Sequence, residues 1–108
     1  MLDLAVLGLL RRGPRHGYDL RRQLAELGFV KVSFGALYPA LRRLEREGVL
    51  GSAWEPAPGS GPRRRVYALT PGGEATARAA DERLREARRF LAGELRPDWV
   101  GPSNEGGR

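Results

Sequence analysis

The residues of this chain that could do chemistry are mainly arginines, and several share one face of a predicted helix. Tyr38, Arg42 and Arg46 recur every four residues, which puts them on one side of an α-helix. Gly35 lies on or near that side, and Arg43 is adjacent to it. Guanidinium groups bind phosphates and guanine edges, and the major groove admits one α-helix. This face therefore predicts contacts with double-stranded DNA.

A second group of arginines, Arg63–Arg65, stands at the start of a predicted strand. The strand-like segments Val49–Trp54 and Arg64–Leu69 flank the Pro- and Gly-rich stretch 55–62, a pattern typical of a hairpin with a flexible tip. The hairpin would bring positive charge to the minor groove or the flanking backbone. Ser33 and the first amides of the helix after it are placed to hold a phosphate.

The net charge of +6 is concentrated in the first two thirds of the chain. Residues 1–70 contain 12 Lys or Arg against 6 Asp or Glu, whereas residues 71–108 contain 7 of each. A GC-rich genome would explain why 18 of the 19 basic residues are Arg, but it would not explain their segregation. The distribution favours a polyanionic partner for residues 1–70 and a different role for the rest.

Two predicted helices precede the arginine-bearing helix. The first covers the apolar segment 4–10 and ends at Gly13-Pro14. The second begins near His16, shows apolar residues at helical spacing, and ends at Gly28. A turn-length spacer then leads to the third helix, which is the order of a helix-turn-helix.

The third helix is expected to have Ser33 as its N-cap and to stop at Gly48. Pro39 is unfavourable beyond the first turn, so we expect the helix to start nearer Gly35 or to bend at Pro39. The face opposite the arginines is apolar and should pack on the core: Leu37, Ala40, Leu41 and Leu44.

A long fourth helix is predicted after the hairpin. Thr70 and Pro71 resemble an N-cap and a first helical residue, Gly72 and Gly73 weaken the first turn, and the helix should run to about Glu94. Small and apolar residues recur in steps of three and four, a coiled-coil-like seam that predicts dimerisation: Ala77, Ala80, Leu84, Ala87 and Leu91.

These elements predict a fold that is mainly α with a small β-hairpin, a winged helix-turn-helix plus a long C-terminal dimerisation helix. We expect a DNA-binding domain over 1–70, a dimerisation helix over 71–95 and a disordered tail over 96–108. The chain has no cysteine, no signal-peptide pattern and no apolar run of membrane-spanning length, so we expect a cytoplasmic protein.

Enzyme and metal-sensor functions find little support in the residues. The only histidine, His16, is interpreted as a hydrogen-bonding residue at a helix start, and the absence of Cys leaves only carboxylates as further metal ligands. The loop Gly59–Gly61 has Arg64 where a dinucleotide-binding fingerprint needs a third glycine. We expect neither a catalytic residue nor a cofactor.

The residues also match a family pattern from Leu2 to about Leu91. The matching segments are LGLL (7–10), GPRHGYDL (13–20), SFGALYPALRRLE (33–45), EGVL (47–50) and RRVYALT (64–70). Together they are far more specific than a general helix-turn-helix pattern. On these motifs the chain resembles the PadR-type transcriptional regulators, in the short form with a single C-terminal helix.

The resemblance implies a homodimer that exchanges contacts through the C-terminal helix and binds a palindromic operator, with recognition helices about 34 Å apart. It implies repression released by an effector, and DNA contacts by Ser33, Gly35, Tyr38 and Arg42, with Arg64 and Arg65 supplying the wing.

Some short members of that family bind flat aromatic drugs through a tryptophan in the middle of the C-terminal helix. The corresponding residue here is Leu84, so this ligand does not carry over. Trp54, in the first wing strand, and Trp99, in the tail, are interpreted as structural or incidental. An alternative remains a protein-interaction module that acts through the fourth helix, with weak or nonspecific DNA binding.

Overall fold

The computed structural model describes residues 2–28, 33–56 and 63–94. The elements in chain order are α1 (Leu2–Leu10), β1 (Arg15–His16), α2 (Gly17–Glu26), α3 (Phe34–Arg46), β2 (Leu50–Glu55), β3 (Arg64–Leu69) and α4 (Pro71–Leu91). The proposed tail over 96–108, with Trp99, lies outside the described residues. No helix in the described part of the chain is long and apolar enough to cross a membrane.

The chain divides into two compact units, Met1–Arg78 and Ala79–Arg108. The core of the first unit forms because α1, α2 and α3 each turn one apolar stripe inward, and the sheet closes it. Val6, Leu20, Leu24, Leu37 and Leu41 are wholly shielded from solvent. The predicted inner face of the third helix is confirmed, since its four apolar residues are all buried.

The strands form one antiparallel sheet in the order β1-β3-β2. The hairpin pairing of β2 with β3 runs from Leu50 opposite Leu69 to Glu55 opposite Arg64. The sequence pattern missed β1, because a two-residue strand has no periodicity of its own and forms only by pairing with β3. The sheet therefore has three strands, one more than the predicted hairpin.

The start of β2 also differs from the prediction by one residue. Val49 was expected in the strand, but its N–H donates to the Leu44 carbonyl at 2.9 Å, and the Gly48 N–H donates to Glu45 at 3.1 Å. These two bonds, with φ of +79° at Gly48, form the Schellman motif that ends α3. Val49 thus belongs to the C-terminal cap of α3, and the strand begins at Leu50.

Ser33 caps α3 as predicted, since its hydroxyl accepts from the Ala36 N–H at 3.2 Å. The helix begins at Phe34, so the expected start nearer Gly35 was wrong by one residue. It continues through Pro39, whose ring lacks the N–H that would donate to the Gly35 carbonyl. The strong cap and the buried opposite face hold the helix together across this missing bond.

The start of α4 is fixed by contacts with the hairpin. The Thr70 hydroxyl accepts from the Gly73 N–H at 2.9 Å and donates to the Gly48 carbonyl, which confirms Thr70 as a cap. A Cβ on Gly73 would lie 2.0 Å from the Val49 carbonyl oxygen. The glycine that weakens this turn is therefore required by the close approach of the two backbones.

The end of α4 comes earlier than predicted. Leu91 is its last residue, three before the expected Glu94. Gly93 has φ of +82°, and the N–H groups of Gly93 and Glu94 bond back to Phe90 and Arg89. This Schellman arrangement stops the helix at a glycine whose role the apolar periodicity did not reveal.

Candidate nucleic-acid interface

A groove of about 990 Å³ lies on the first unit. It is lined by residues of β1, the first turn of α2, one side of α3, and the two wing strands with Arg63 just before β3; we call it the α3–wing groove. Its lining combines cationic and aromatic side chains with two carboxylates: Arg42, Arg63, Arg64, Arg65, Tyr18, Tyr38, Tyr67, Trp54, His16, Asp19 and Glu45.

The groove brings together five of the nine residues predicted to contact DNA. These five are Tyr38, Arg42, Arg63, Arg64 and Arg65. Ser33, Gly35 and Arg46 are exposed at the start and end of α3 but do not line the groove. Residues from α3 and from the wing therefore share one surface, as the winged-helix plan requires.

Arg43 is engaged elsewhere in the protein. Its Nη2 donates to both carboxylate oxygens of Asp3 in α1, at 2.8 and 2.9 Å, and its Nη1 lies 3.6 Å from Glu47. The hydrogen bond with Asp3 raises the pKa of Arg43 above its ordinary value. The neighbouring Arg42 lines the groove, so two consecutive arginines of α3 have different surroundings.

Tyr38 is positioned by an aromatic cluster at the starts of α2 and α3. Phe34 stacks on Tyr38 with ring centroids 5.4 Å apart and an angle of 12°, and Tyr18 lies 6.0 Å from Phe34. The Arg21 guanidinium covers Phe34 at 4.8 Å. A Cβ on Gly17 would approach the Tyr38 ring to 3.0 Å, so the glycine makes room for it. Tyr38 thus packs on the core and also lines the groove.

Trp54 organises the arginines of the wing. The Cζ atoms of Arg63 and Arg65 lie 5.9 and 5.2 Å from its ring, within the range of cation–π attraction. Trp54 stands directly opposite Arg65 in the hairpin, which puts both side chains on one face. Of the two interpretations that the sequence offered for Trp54, structural or incidental, these contacts favour the structural one.

Glu45 joins α3 to both wing strands. Its Oε2 accepts from the Ser52 hydroxyl of β2 at 2.5 Å and lies 3.7 Å from Nη2 of Arg65 in β3. The side chain is 31% exposed. The sequence did not single out Glu45, because an acidic residue is not expected on a face that binds an anion.

His16 connects β1 to the wing and to α2. Its Nε2 lies 2.9 Å from Glu55 and its Nδ1 lies 3.5 Å from Asp19, in the first turn of α2. Burial alone would raise the pKa of Asp19, but hydrogen bonds with His16 and Arg22 outweigh it and hold the pKa below its ordinary value. Within the described residues, no group of three His, Cys, Asp or Glu could hold a metal ion.

Residues 6–79 match the family model described as the transcriptional regulator PadR-like family. This match covers more than half of the chain and the whole of the α3–wing groove. The chain belongs to the PadR-like family of transcriptional regulators. The family and the fold class indicated by the sequence motifs are therefore confirmed, and the members are regulators rather than enzymes.

Individual relatives agree with this assignment. The chain is 42% identical over 80 residues to transcriptional regulator Rv3488 of Mycobacterium tuberculosis, covering 73% of this chain and 72% of that protein. A PadR-like transcription factor from Bacteroides fragilis is 28% identical with a TM-score of 0.77, covering 88% of this chain and 90% of the other.

A third relative was solved with bound nucleic acid. The structure of Bacillus subtilis PadR in complex with operator DNA is 32% identical, with a TM-score of 0.67. The similarity covers 73% of this chain and 45% of that one. That protein is therefore considerably longer than the part that resembles this chain.

Proposed function

We propose that this PadR-like protein is a homodimeric repressor that binds a palindromic operator through the α3–wing groove. The observation that carries the proposal is the convergence of Tyr38, Arg42 and the wing arginines on one groove. The solved complex of the Bacillus subtilis relative with operator DNA supports the same partner.

Each part of the surface has a role that follows from its chemistry. In the proposal α3 lies in the major groove, where Arg42 and Tyr38 reach base edges or phosphates. Ser33, Gly35 and Arg46 contact the backbone at the two ends of α3. Arg63–Arg65 bind phosphates beside the minor groove. Arg43 is left out of this interface because it does not line the groove and donates to Asp3 instead.

Dimerisation is proposed to use the part of α4 in the second unit. Leu84 and Leu91 are 53% and 83% exposed in the single chain, which a second copy would relieve. Ala80 and Ala87 lie at the intervening seam positions. Ala77 is buried within the first unit, so the proposed seam begins at Ala80 rather than at Ala77.

The proposal includes release of the DNA by a small effector, without specifying the effector's chemistry. Leu84 occupies the position in the C-terminal helix that corresponds to the drug-binding tryptophan of some short family members. We therefore do not propose that a flat aromatic ligand stacks at this position. An effector would act on the dimer seam or on the DNA-binding unit.

The proposal is tested by fluorescence anisotropy with the protein's own promoter and a scrambled duplex at two salt concentrations, and by sedimentation to determine the oligomer. Selective binding of a dimer to the promoter, weakened by salt, is the expected result. Equal binding to both duplexes would leave a nonspecific DNA binder. A monomer in the bound complex would contradict the palindromic arrangement.

A second candidate function rests on the exposed apolar residues of α4. Leu84, Phe90 and Leu91 would also suit a different protein partner, in a module whose DNA binding is weak or nonspecific. Replacing Arg42 and Arg65 with Gln separates the two functions. Loss of promoter binding with the dimer intact favours the repressor, whereas unchanged regulation in cells favours the interaction module.

A further inference from the structure

The α3–wing groove contains a carboxylate where a polyanion is proposed to bind. Glu45 points into a groove with four arginines, and one of them, Arg65, has Nη2 at 3.7 Å from Glu45 Oε2. Like charges repel, so a phosphate near this point loses part of the attraction that the arginines provide. A surface selected only for tight anion binding would have no acid there.

Glu45 is also held in place. The Ser52 hydroxyl donates to the same Oε2 atom, which keeps the carboxylate beside Arg65. Trp54 covers the Arg65 guanidinium at 5.2 Å. Arg65 therefore has an anionic partner and an aromatic partner before any DNA arrives, and a phosphate that approaches it meets the Glu45 carboxylate beside it.

From this arrangement we propose that Glu45 is a positioning residue that restrains Arg65 and limits the affinity of the groove for phosphate. The inference rests on the proposed DNA binding and goes beyond it by assigning control of affinity to an acidic residue of α3. Restraint of this kind keeps the sequence-independent part of the affinity low, and that part supplies most of nonspecific binding.

Glu47 provides a matched control on the same helix end. It pairs with Arg43 at 3.6 Å, nearly the distance between Glu45 and Arg65, but it does not line the groove. Glu45→Gln and Glu47→Gln change the net charge of the protein equally. Any difference between the two variants therefore reports the position of the charge rather than its amount.

The experiment measures the affinity of the full-length wild type and both variants for a scrambled duplex and for the promoter over a range of salt. Repulsion between the Glu45 carboxylate and a phosphate about 4 Å away in water corresponds to about a fivefold change in affinity. Glu45→Gln should therefore bind either duplex about fivefold more tightly. Freeing one arginine for one more phosphate makes the slope of log K against log salt steeper by about 0.9. Glu47→Gln should leave the slope unchanged.

A double-mutant cycle tests whether Glu45 acts through Arg65. In an Arg65→Gln background the slope change caused by Glu45→Gln should disappear, because no arginine remains to be released. A purely structural role would lower the thermal midpoint and leave the slope unaltered. If Glu45→Gln does not fold, Glu45→Ala serves as the second variant.

The outcomes are distinct. Tighter binding and a steeper slope for Glu45→Gln alone support the proposal. Equal effects in Glu45→Gln and Glu47→Gln overturn it, because net charge alone then explains the gain in affinity. Weaker binding or an unchanged slope in Glu45→Gln also overturns it. A wild type that binds neither duplex refutes the proposed function itself, which is a separate result.

Discussion

Gly73 offers a sharp test of how the DNA-binding unit is held together. A Cβ at this position would lie 2.0 Å from the Val49 carbonyl oxygen and 3.0 Å from its carbon, so the two backbones must separate by more than about 1 Å in Gly73→Ala. The same oxygen accepts from the Thr70 N–H at 3.1 Å. The substitution therefore strains the junction between Val49, just before β2, and the first turn of α4, and breaks the Thr70–Val49 hydrogen bond.

The expected magnitude follows from three effects. Forcing an extra methyl group into a tight contact costs about 2 kcal/mol, and the lost hydrogen bond costs about 1 kcal/mol. Alanine favours the helix over glycine by about 1 kcal/mol, which offsets part of this. We expect Gly73→Ala to lower the free energy of unfolding by about 2 kcal/mol, which corresponds to roughly 10 °C in Tm for a domain of this size.

Gly72→Ala is the matched control, one residue earlier in the same turn. The nearest atom to its added Cβ is the Gly48 carbonyl oxygen at 3.5 Å, an ordinary contact. It should therefore be neutral or stabilising by up to about 1 kcal/mol. Urea denaturation followed by circular dichroism measures both variants. Equal stability of Gly73→Ala and Gly72→Ala would refute the close approach of Val49 to α4.

Three further predictions concern the ion pairs and the wing. Asp3→Asn should lower Tm because Arg43 loses its partner in α1; an unchanged Tm in thermal denaturation would contradict a stabilising role for this pair. Asp19→Asn should be less stable than wild type at neutral pH. Because the folded-state pKa of Asp19 is depressed, this stability difference is present above the unfolded pKa near 3.8 and is lost as pH falls through the folded pKa. Denaturation at several pH values measures it, and a stability difference that does not change with pH would contradict the prediction. Trp54→Leu should weaken promoter binding about fivefold, since the loss of cation–π support for Arg65 costs about 1 kcal/mol; unaltered anisotropy titrations would argue against that support.

Local sequence signals predicted the helices well, because their causes lie within a few residues. The Ser33 cap, the apolar stripe through Leu37 and Leu41, and the stop at Gly48 all depend on neighbours within one or two turns. The second wing strand, Arg64–Leu69, also matches its predicted bounds. The family motifs extend over these same segments, which explains why fold class was accessible.

Features that depend on distant pairing were not accessible in the same way. Arg42 and Arg43 look equivalent in the sequence, but Arg43 meets Asp3, which is 40 residues away along the chain. The approach of Glu45 to Arg65 depends on how α3 packs on the hairpin, which no local pattern encodes. The strand β1 likewise exists only because β3 pairs with it.

The most direct test of the account is the promoter selectivity of Arg42→Gln. Arg85→Gln is the charge-matched control, because Arg85 pairs with Asp81 on α4 and lies outside the α3–wing groove. If Arg42 reads a base edge, its loss costs about 1–3 kcal/mol at the promoter, or roughly 5- to 150-fold in affinity, with a much smaller change on the scrambled duplex. Arg85→Gln should bind both duplexes like wild type. Wild-type affinity and wild-type selectivity in Arg42→Gln would contradict the claim that this groove binds DNA.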